Sequence, residues 1–466
     1  MTTELKETTK RLGDAPLLRL LISLSLPGIA SMITMSLYNI IDTFWVAKLG
    51  YQAIAALTIV MPYHVLIIAI GYGSGIGINA LASRRFGEKN IEATHHIAGQ
   101  AFTLSALLGI IFLIPAISLA RPILTIIGAT PDILDFATQY LTTLGFGIPF
   151  VFFMLMSSSL LRGSGDAVRP MVFMITASVT NIILDPFFIF GYGPFPEMGV
   201  RGAALATVIA QALGASLGLY YIVAGKSAYR AKLKHLKPDL KVLKDIYRVG
   251  LPSMIMEVME SVVFALFNYV ISGFGSLALA AVGMTMRIAD LAWMPIFGIS
   301  QGLLPIVGFS FGARLWERLW QALKLASIGL VLLTGIVLVA LEVLTPQLIA
   351  IFNDDPELIA IAVPCMRIFM STISLFGLSM LFITTFQGLS KGKEAMILTL
   401  IRQFSFVTLL FLLPRIWGIS GVWISAPISD TLAFIVSGLW LFREYKMQQK
   451  TGVWPDTPVP ETNPEN

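Results

Sequence analysis

The chain has 466 residues, 56% of them hydrophobic and only 13% charged, and a formal net charge of +5; its mean hydropathy is +0.81. A soluble domain carries about 25% charged residues, so composition excludes an ordinary soluble protein and makes the bilayer the solvent. One cysteine, Cys365, and four histidines without metal-ligand spacing (His64, His95, His96, His235) exclude a disulfide framework and a metalloenzyme; neither a metal nor a cofactor is expected.

Residues 1–16 are polar and charged, so no cleaved signal peptide is expected. Apolar runs long enough to cross a bilayer, at about 20 residues each, are predicted near 17–47, 52–82, 94–120, 132–161, 170–190 and 200–224. The 225–247 stretch is the densest basic run and reads as a cytoplasmic linker that touches anionic headgroups. A second six runs follow near 248–272, 277–310, 320–345, 357–387, 395–413 and 419–442, and the stretch 446–466, rich in Pro, Thr and acid, is expected to be a disordered cytoplasmic tail. The boundaries are therefore an N-terminal segment (1–16), an N-lobe (17–224), a linker (225–247), a C-lobe (248–445) and a tail (446–466).

The two sets of runs repeat. One constant shift along the chain carries Leu26-Pro27 onto Leu251-Pro252, Gly50 onto Gly275, Phe86-Gly87 onto Phe311-Gly312, Pro131 onto Pro356 and Gly163 onto Gly388. Each copy holds an even number of spans and runs in the same direction. The predicted fold class is an all-α membrane protein of 12 transmembrane helices, in two six-helix lobes related by a pseudo-twofold axis along the membrane normal. Four basic residues (Lys48, Arg121, Arg201, Arg415) lie at one set of span ends and three (Arg287, Arg367, Arg402) within spans; the other 25 of the 32 lie at the opposite ends. The positive-inside rule then places both termini in the cytoplasm. Basic residues spread over many loops are topology determinants, so no nucleic-acid partner is expected.

Ionisable groups inside spans are costly, at about 2.5–3.5 kcal/mol each, and point to function. Asp42 has Tyr38 at i−4, and Asp185 has Asn181 at i−4. Each acid stands roughly 9 Å inside the outer end of an outward-running helix, so the two can converge as a carboxyl pair that shares a proton. Glu257, Glu260 and Ser261 share a face of span seven and offer a second cation site or a lining for the substrate cleft. Asp290 has Arg287 at i−3, which favours an internal ion pair, although it also stands as a cleft candidate; Asp430 has no charged neighbour on its own helix. His64, in mid-span, reads as a hydrogen-bonded packing residue. Pro27 removes a helix hydrogen bond and marks a kink or hinge on the helix that bears Asp42. Gly71, Gly73, Gly75 and Gly77 read as a close-packing face, and Gly225-Lys226-Ser227 lacks the earlier glycine of a phosphate loop. No enzyme constellation is present.

With these residues in place, the chain resembles the multidrug and toxic compound extrusion (MATE) family, in its prokaryotic DinF-like branch. The resemblance rests on Leu37-Tyr38-Asn39-Ile40-Ile41-Asp42-Thr43-Phe44-Trp45, Leu161-Arg162-Gly163-Ser164-Gly165-Asp166, and Asn181-Ile182-Ile183-Leu184-Asp185-Pro186 with Gly199-Val200-Arg201-Gly202. It implies two lobes in a V and export of small amphipathic, often cationic compounds in exchange for H⁺ or Na⁺, H⁺ being favoured, by a monomer. It implies a cation pocket in the N-lobe, which here falls on Asp42, Asp185, Asn181 and Tyr38 with Thr207 in addition; Na⁺ there would use Asp42 and Asp185. Relatives with a C-lobe ion site pair acids on spans seven and ten, whereas span ten here has only Glu357 at its mouth, so a C-lobe Na⁺ site is not expected. The rival function is a lipid-linked oligosaccharide flippase of the same wider superfamily, which would favour a basic cavity.

Overall fold

The computed structural model describes residues 3–351 and 355–451. In chain order it contains α1 (Thr3–Asp14), α2 (Leu17–Ala47), α3 (Tyr51–Gly87), α4 (Ile91–Ser118), α5 (Ala120–Ile127), α6 (Pro131–Gly145), α7 (Ile148–Gly163), α8 (Val168–Phe190) and α9 (Val200–Val223). A linker with one 3-10 turn (Leu233–Leu236) leads to α10 (Leu240–Ser272), α11 (Ser276–Gly312), α12 (Trp316–Ala350), α13 (Pro356–Met370), α14 (Ile373–Gly388), α15 (Gly392–Leu412), α16 (Pro414–Trp417) and α17 (Ile419–Thr451). Among the described residues ten helices are long and apolar enough to cross a membrane. Two bent pairs, α6 with α7 at 49° and α13 with α14 at 42°, bring the spans to twelve.

The duplication is visible in the helix bounds. The shift that carries Leu26 onto Leu251 also carries α3 onto α11, α6 onto α13 and α7 onto α14, first residue onto first and last onto last. The left-handed backbone recurs at the same interval, at Gly50 and Gly275, Lys89 and Arg314, and Gly165 and Ser390. The bends are made differently in the two copies. Pro149, two residues after Gly147 at the start of α7, cannot donate to the preceding turn. In the second copy Ser371 and Thr372 occupy the break, Ser371 donating to the Ile368 carbonyl at 2.7 Å.

The lobes meet through small residues. A side chain at Gly73 or Gly77 of α3 would strike Gly250 or Ile246 of α10, and the equivalents Gly298 and Gly302 of α11 lie against Ile29 and Ser25 of α2. Backbones that approach this closely bury the ends of α3 and α11 nearest the termini and linker, from Gly71 and Met294 onward. Toward Tyr51 and Ser276 the same helices are more exposed, so the lobes part there and leave a cleft. Of the predicted glycine face, Gly73 and Gly77 thus make a lobe-to-lobe crossing, while Gly71 and Gly75 pack against Leu155 and Ser159 of α7 in their own lobe.

The N-terminal segment is a docked helix. Leu12 is fully buried, Gly13 sits on the Phe309 ring, and Arg318 donates from Nε to the Leu12 carbonyl at 2.9 Å and from Nη2 to the Ala15 carbonyl at 2.8 Å. The end of the stretch read as linker is helical from Leu240, and α17 continues past Tyr445 to Thr451; the rest of the expected tail, 452–466, lies outside the described residues. α2 runs through Pro27 as one unbroken helix, with Ser31 donating to the Pro27 carbonyl at 2.8 Å.

Candidate functional site

A cavity of about 600 Å³ lies in the N-lobe where the cleft is open. α2 supplies Tyr38, Asn39 and Asp42 to its wall, spaced so that all three face one way. α8 supplies Asn181, α9 supplies Thr207 and Gln211, and α3 supplies His64. α9 reaches α8 because its first turns are small: a Cβ at Gly202 would run into the Phe188 carbonyl.

Behind this wall Asp185 is fully buried and Asn181 nearly so. The carboxyl groups of Asp42 and Asp185 are within hydrogen-bond reach of each other. Tyr38 is within reach of Thr207. Asn181 connects the helices: its amide lies 3.0 Å from the Thr207 hydroxyl, which bonds the Ala203 carbonyl at 3.0 Å. With the amide turned, Nδ2 donates to Asp185 Oδ2 at 2.9 Å and Oδ1 accepts from Thr207. One buried oxygen on each acid, Oδ1 of Asp42 and Oδ1 of Asp185, meets no donor among the described residues. Two carboxyl groups in mutual contact with spare oxygens are unfavourable when both are ionised, because their charges repel without water to screen them. A proton or a small hard cation relieves this, and the donors (carboxylate, amide, hydroxyl, phenol) are all oxygen. The five N-lobe residues singled out from the sequence, Tyr38, Asp42, Asn181, Asp185 and Thr207, are therefore brought together in one place.

The acids of the C-lobe divide. Glu257 and Ser261 reach across the cleft and line the same N-lobe cavity. Glu260, one turn away, is not in that lining and lies within electrostatic reach of Arg402 of its own lobe. The expected Arg287–Asp290 ion pair is not formed: both side chains are exposed on α11 without a salt bridge or hydrogen bond between them. Asp430, which lacked a neighbour on its own helix, is paired through tertiary structure, accepting from Arg402 Nε at 2.7 Å and from Thr372 Oγ1 at 3.1 Å. His64 lines the cavity wall without a hydrogen bond to any described residue, in contrast to its reading as a hydrogen-bonded packing residue. Asn39, Thr43 and Gln211 were not singled out. The signal was the helical spacing of Asn39 to Asp42 and of Thr207 to Gln211.

Three of the four histidines, His95, His96 and His235, also converge, away from the cavity. Glu92, His96 and His235 place their ligand atoms within 4.8 Å of one another. The hydrogen bonds oppose a metal there. His235 Nδ1 accepts the Lys232 N–H at 3.2 Å, so the neutral ring carries its proton on Nε2, 3.2 Å from Glu92 Oε1, and Lys234 Nζ already sits 2.6 Å from that oxygen. This arrangement clips the linker onto α4. Tyr229 ties the linker to α7, donating to the Leu160 carbonyl at 2.6 Å; burial pushes its phenol well above the ordinary value, so it remains a donor.

Comparison with known proteins agrees with this architecture. The multidrug export protein MepA of Staphylococcus saprophyticus is 24% identical over 419 residues, covering 90% of this chain and 92% of its own. A solved structure described as the outward-facing conformation of a multidrug resistance MATE family transporter of the MOP superfamily is 28% identical with a TM-score of 0.90, covering 97% of this chain and 100% of its own. A MOP superfamily transporter from Pyrococcus furiosus, whose binding pocket is described as having reverse polarity, suggesting a different function, is 28% identical with a TM-score of 0.87, again covering 97% and 100%. The MatE family model matches residues 27–187 and 252–412, two segments of equal length that coincide with the two repeats. The chain belongs to the MATE family.

Proposed function

We propose that this protein is a cation-coupled exporter of amphipathic compounds in the inner membrane, working by alternating access, with H⁺ rather than Na⁺ as the coupling ion. The observation that carries this reading is the position of Asp42, on the cavity wall and against buried Asp185. A substrate in the cavity and a proton on the pair therefore compete for one place, which is what antiport requires. With the termini in the cytoplasm, the cleft faces outward. MATE proteins are solved in conformations described as bent and straight, each with 27% identity and a TM-score of 0.89.

The hydrogen bonds around Asn181 supply a mechanism. With Asp185 ionised, the Asn181 NH₂ donates to it, the Asn181 oxygen needs a donor, and the Thr207 hydroxyl turns to provide one. With Asp185 protonated, the carboxyl donates to the Asn181 oxygen, the NH₂ faces Thr207, and the hydroxyl returns to the Ala203 carbonyl. One proton thus reorients groups on α8 and α9, and through the Tyr38–Thr207 contact alters what α2 packs against. Pro27, about 22 Å along α2 from Asp42, is where that helix bends with one fewer backbone bond to break.

The flippase alternative is less well supported, because the cavity lining includes Asp42 and Glu257 and no Lys or Arg, whereas a pyrophosphate-linked cargo needs cationic partners. Efflux of a cationic dye from proteoliposomes, driven by an imposed pH gradient and separately by an imposed Na⁺ gradient, tests the reading. Transport driven by neither gradient overturns it; transport driven by Na⁺ alone overturns the choice of ion.

A further inference from the structure

The duplication allows the two lobes to be compared position by position. The offset that relates α3 to α11 holds until the last span, where α9 and α17 align on their own first residues, Val200 and Ile419. Four residues that line the N-lobe cavity, Met35, Val151, Ala177 and Gln211, have Glu260, Phe376, Arg402 and Asp430 as their C-lobe counterparts. Three of them, Phe376, Arg402 and Asp430, are also gathered. Arg402 Nε donates to Asp430 Oδ1 at 2.7 Å, and its guanidinium lies 4.4 Å from the centre of the Phe376 ring. Glu260 is within electrostatic reach of Arg402. The Asp430 side chain is 7% exposed and that of Arg402 26%. The place that is a ligand-sized cavity in one lobe is, in the other, held by a cation on its own tether.

We propose that Arg402 is a resident counter-ion that sets the charge specificity of the transporter: by neutralising Asp430 and covering Phe376, it stops the C-lobe wall from holding a second cation and confines cationic ligands to the N-lobe cavity. The inference rests on the reading of the protein as an exporter of amphipathic cations. Its physical basis is that a tethered guanidinium has an effective concentration no dissolved cation matches. The planar fork also satisfies a carboxylate and stacks on a ring at the same time. Without Arg402, Asp430 would stand as an unpaired carboxylate beside a ring, a setting suited to an organic cation.

The test is equilibrium binding of two dyes to the purified full-length protein, the cation rhodamine 6G and the uncharged Nile red. Arg402→Met leaves Asp430 without its partner and is expected to bind an additional equivalent of rhodamine 6G, with Nile red unchanged. Asp430→Asn leaves the guanidinium without its carboxylate and is expected to weaken rhodamine 6G about tenfold, with Nile red again unchanged. The neutral double variant should recover the wild-type ratio of cation to uncharged dye, and Arg402→Lys, which keeps the charge, should gain no extra equivalent. An Arg402→Met protein without added cation binding, an Asp430→Asn protein weakened equally for both dyes, or an Arg402→Lys protein that gains the extra equivalent overturns the proposal. If the single variants do not fold, the double variant and Arg402→Lys decide it. Failure of wild type to bind rhodamine 6G at all counts instead against the cation-export reading.

Discussion

The two lobes share a backbone and exchange their chemistry. In the N-lobe Asp42, Asn181 and Asp185 form a polar pocket; the equivalent C-lobe residues are Phe267, Phe406 and Leu410, which pack as an apolar cluster with the two rings 5.8 Å apart. Conversely, Val151, Ala177 and Gln211 of the N-lobe cavity wall are replaced by the Phe376–Arg402–Asp430 group. Duplication supplied a symmetric frame joined at its glycine crossings. Substitution inside that frame left one half with a carboxyl pair holding spare oxygens and the other with a carboxylate paired to an arginine. A buried polar group is kept only where it is partnered or used, and the two lobes take these two courses.

The comparison breaks most sharply at Asp42. Asp42→Asn should reduce gradient-driven efflux to the level of empty liposomes while dye binding persists, because the amide keeps the shape but cannot change charge. Normal efflux by a well-expressed variant would remove the N-lobe pair from coupling. Asp185→Asn should act as part of the same unit. The double variant is expected to be little worse than the worse single, with an interaction energy of about 0.5–3 kcal/mol between the sites, measured from initial efflux rates in a double-mutant cycle; simple addition would mean two independent sites.

The frame is probed by Gly77→Val at the α3–α10 crossing. A side chain there meets the Ile246 carbonyl, and such overpacking costs about 1–3 kcal/mol. It should push apart the state in which these ends are closed, seen as shorter spin-label distances across the outer cleft than in wild type. Unchanged distances and efflux would show that the crossing tolerates separation.

Glu257→Gln should shift affinity more than coupling. Glu257 lines the N-lobe cavity but has no part in the Asp42–Asp185 contact, so a cationic dye should bind about tenfold more weakly with its response to a pH gradient retained. Loss of the pH response in Glu257→Gln alone would assign coupling to the C-lobe. The smallest effect is expected at Pro27→Ala, which restores a hydrogen bond and stiffens α2; turnover should slow by about threefold with dye affinity unchanged.

Much of this architecture was legible in the sequence because its causes are local or periodic. A span is a long apolar run, and the predicted stretches 17–47 and 200–224 fall on α2 and α9 within a residue. The duplication is a constant offset that needs no three-dimensional knowledge. Asp42 with Tyr38, and Asp185 with Asn181, stood out because helical neighbours at i−4 share a face whatever surrounds the helix.

Tertiary structure decided which faces meet, since a helix specifies the direction of a side chain relative to its own axis and nothing about the helix opposite. Arg287 and Asp290 had favourable spacing and formed no pair, while Asp430 found Arg402 on a neighbouring helix. Glu257 and Glu260, three residues apart, were divided between the lobes because α10 lies at their boundary. His235 reached the adjacent His95 and His96 only when the linker folded back onto α4. The sequence by itself determined the spans, their repeat and their amphipathic faces; only the crossing of those helices, set by glycines that let backbones touch, determined which charges became partners and which kept an oxygen without a donor among the described residues.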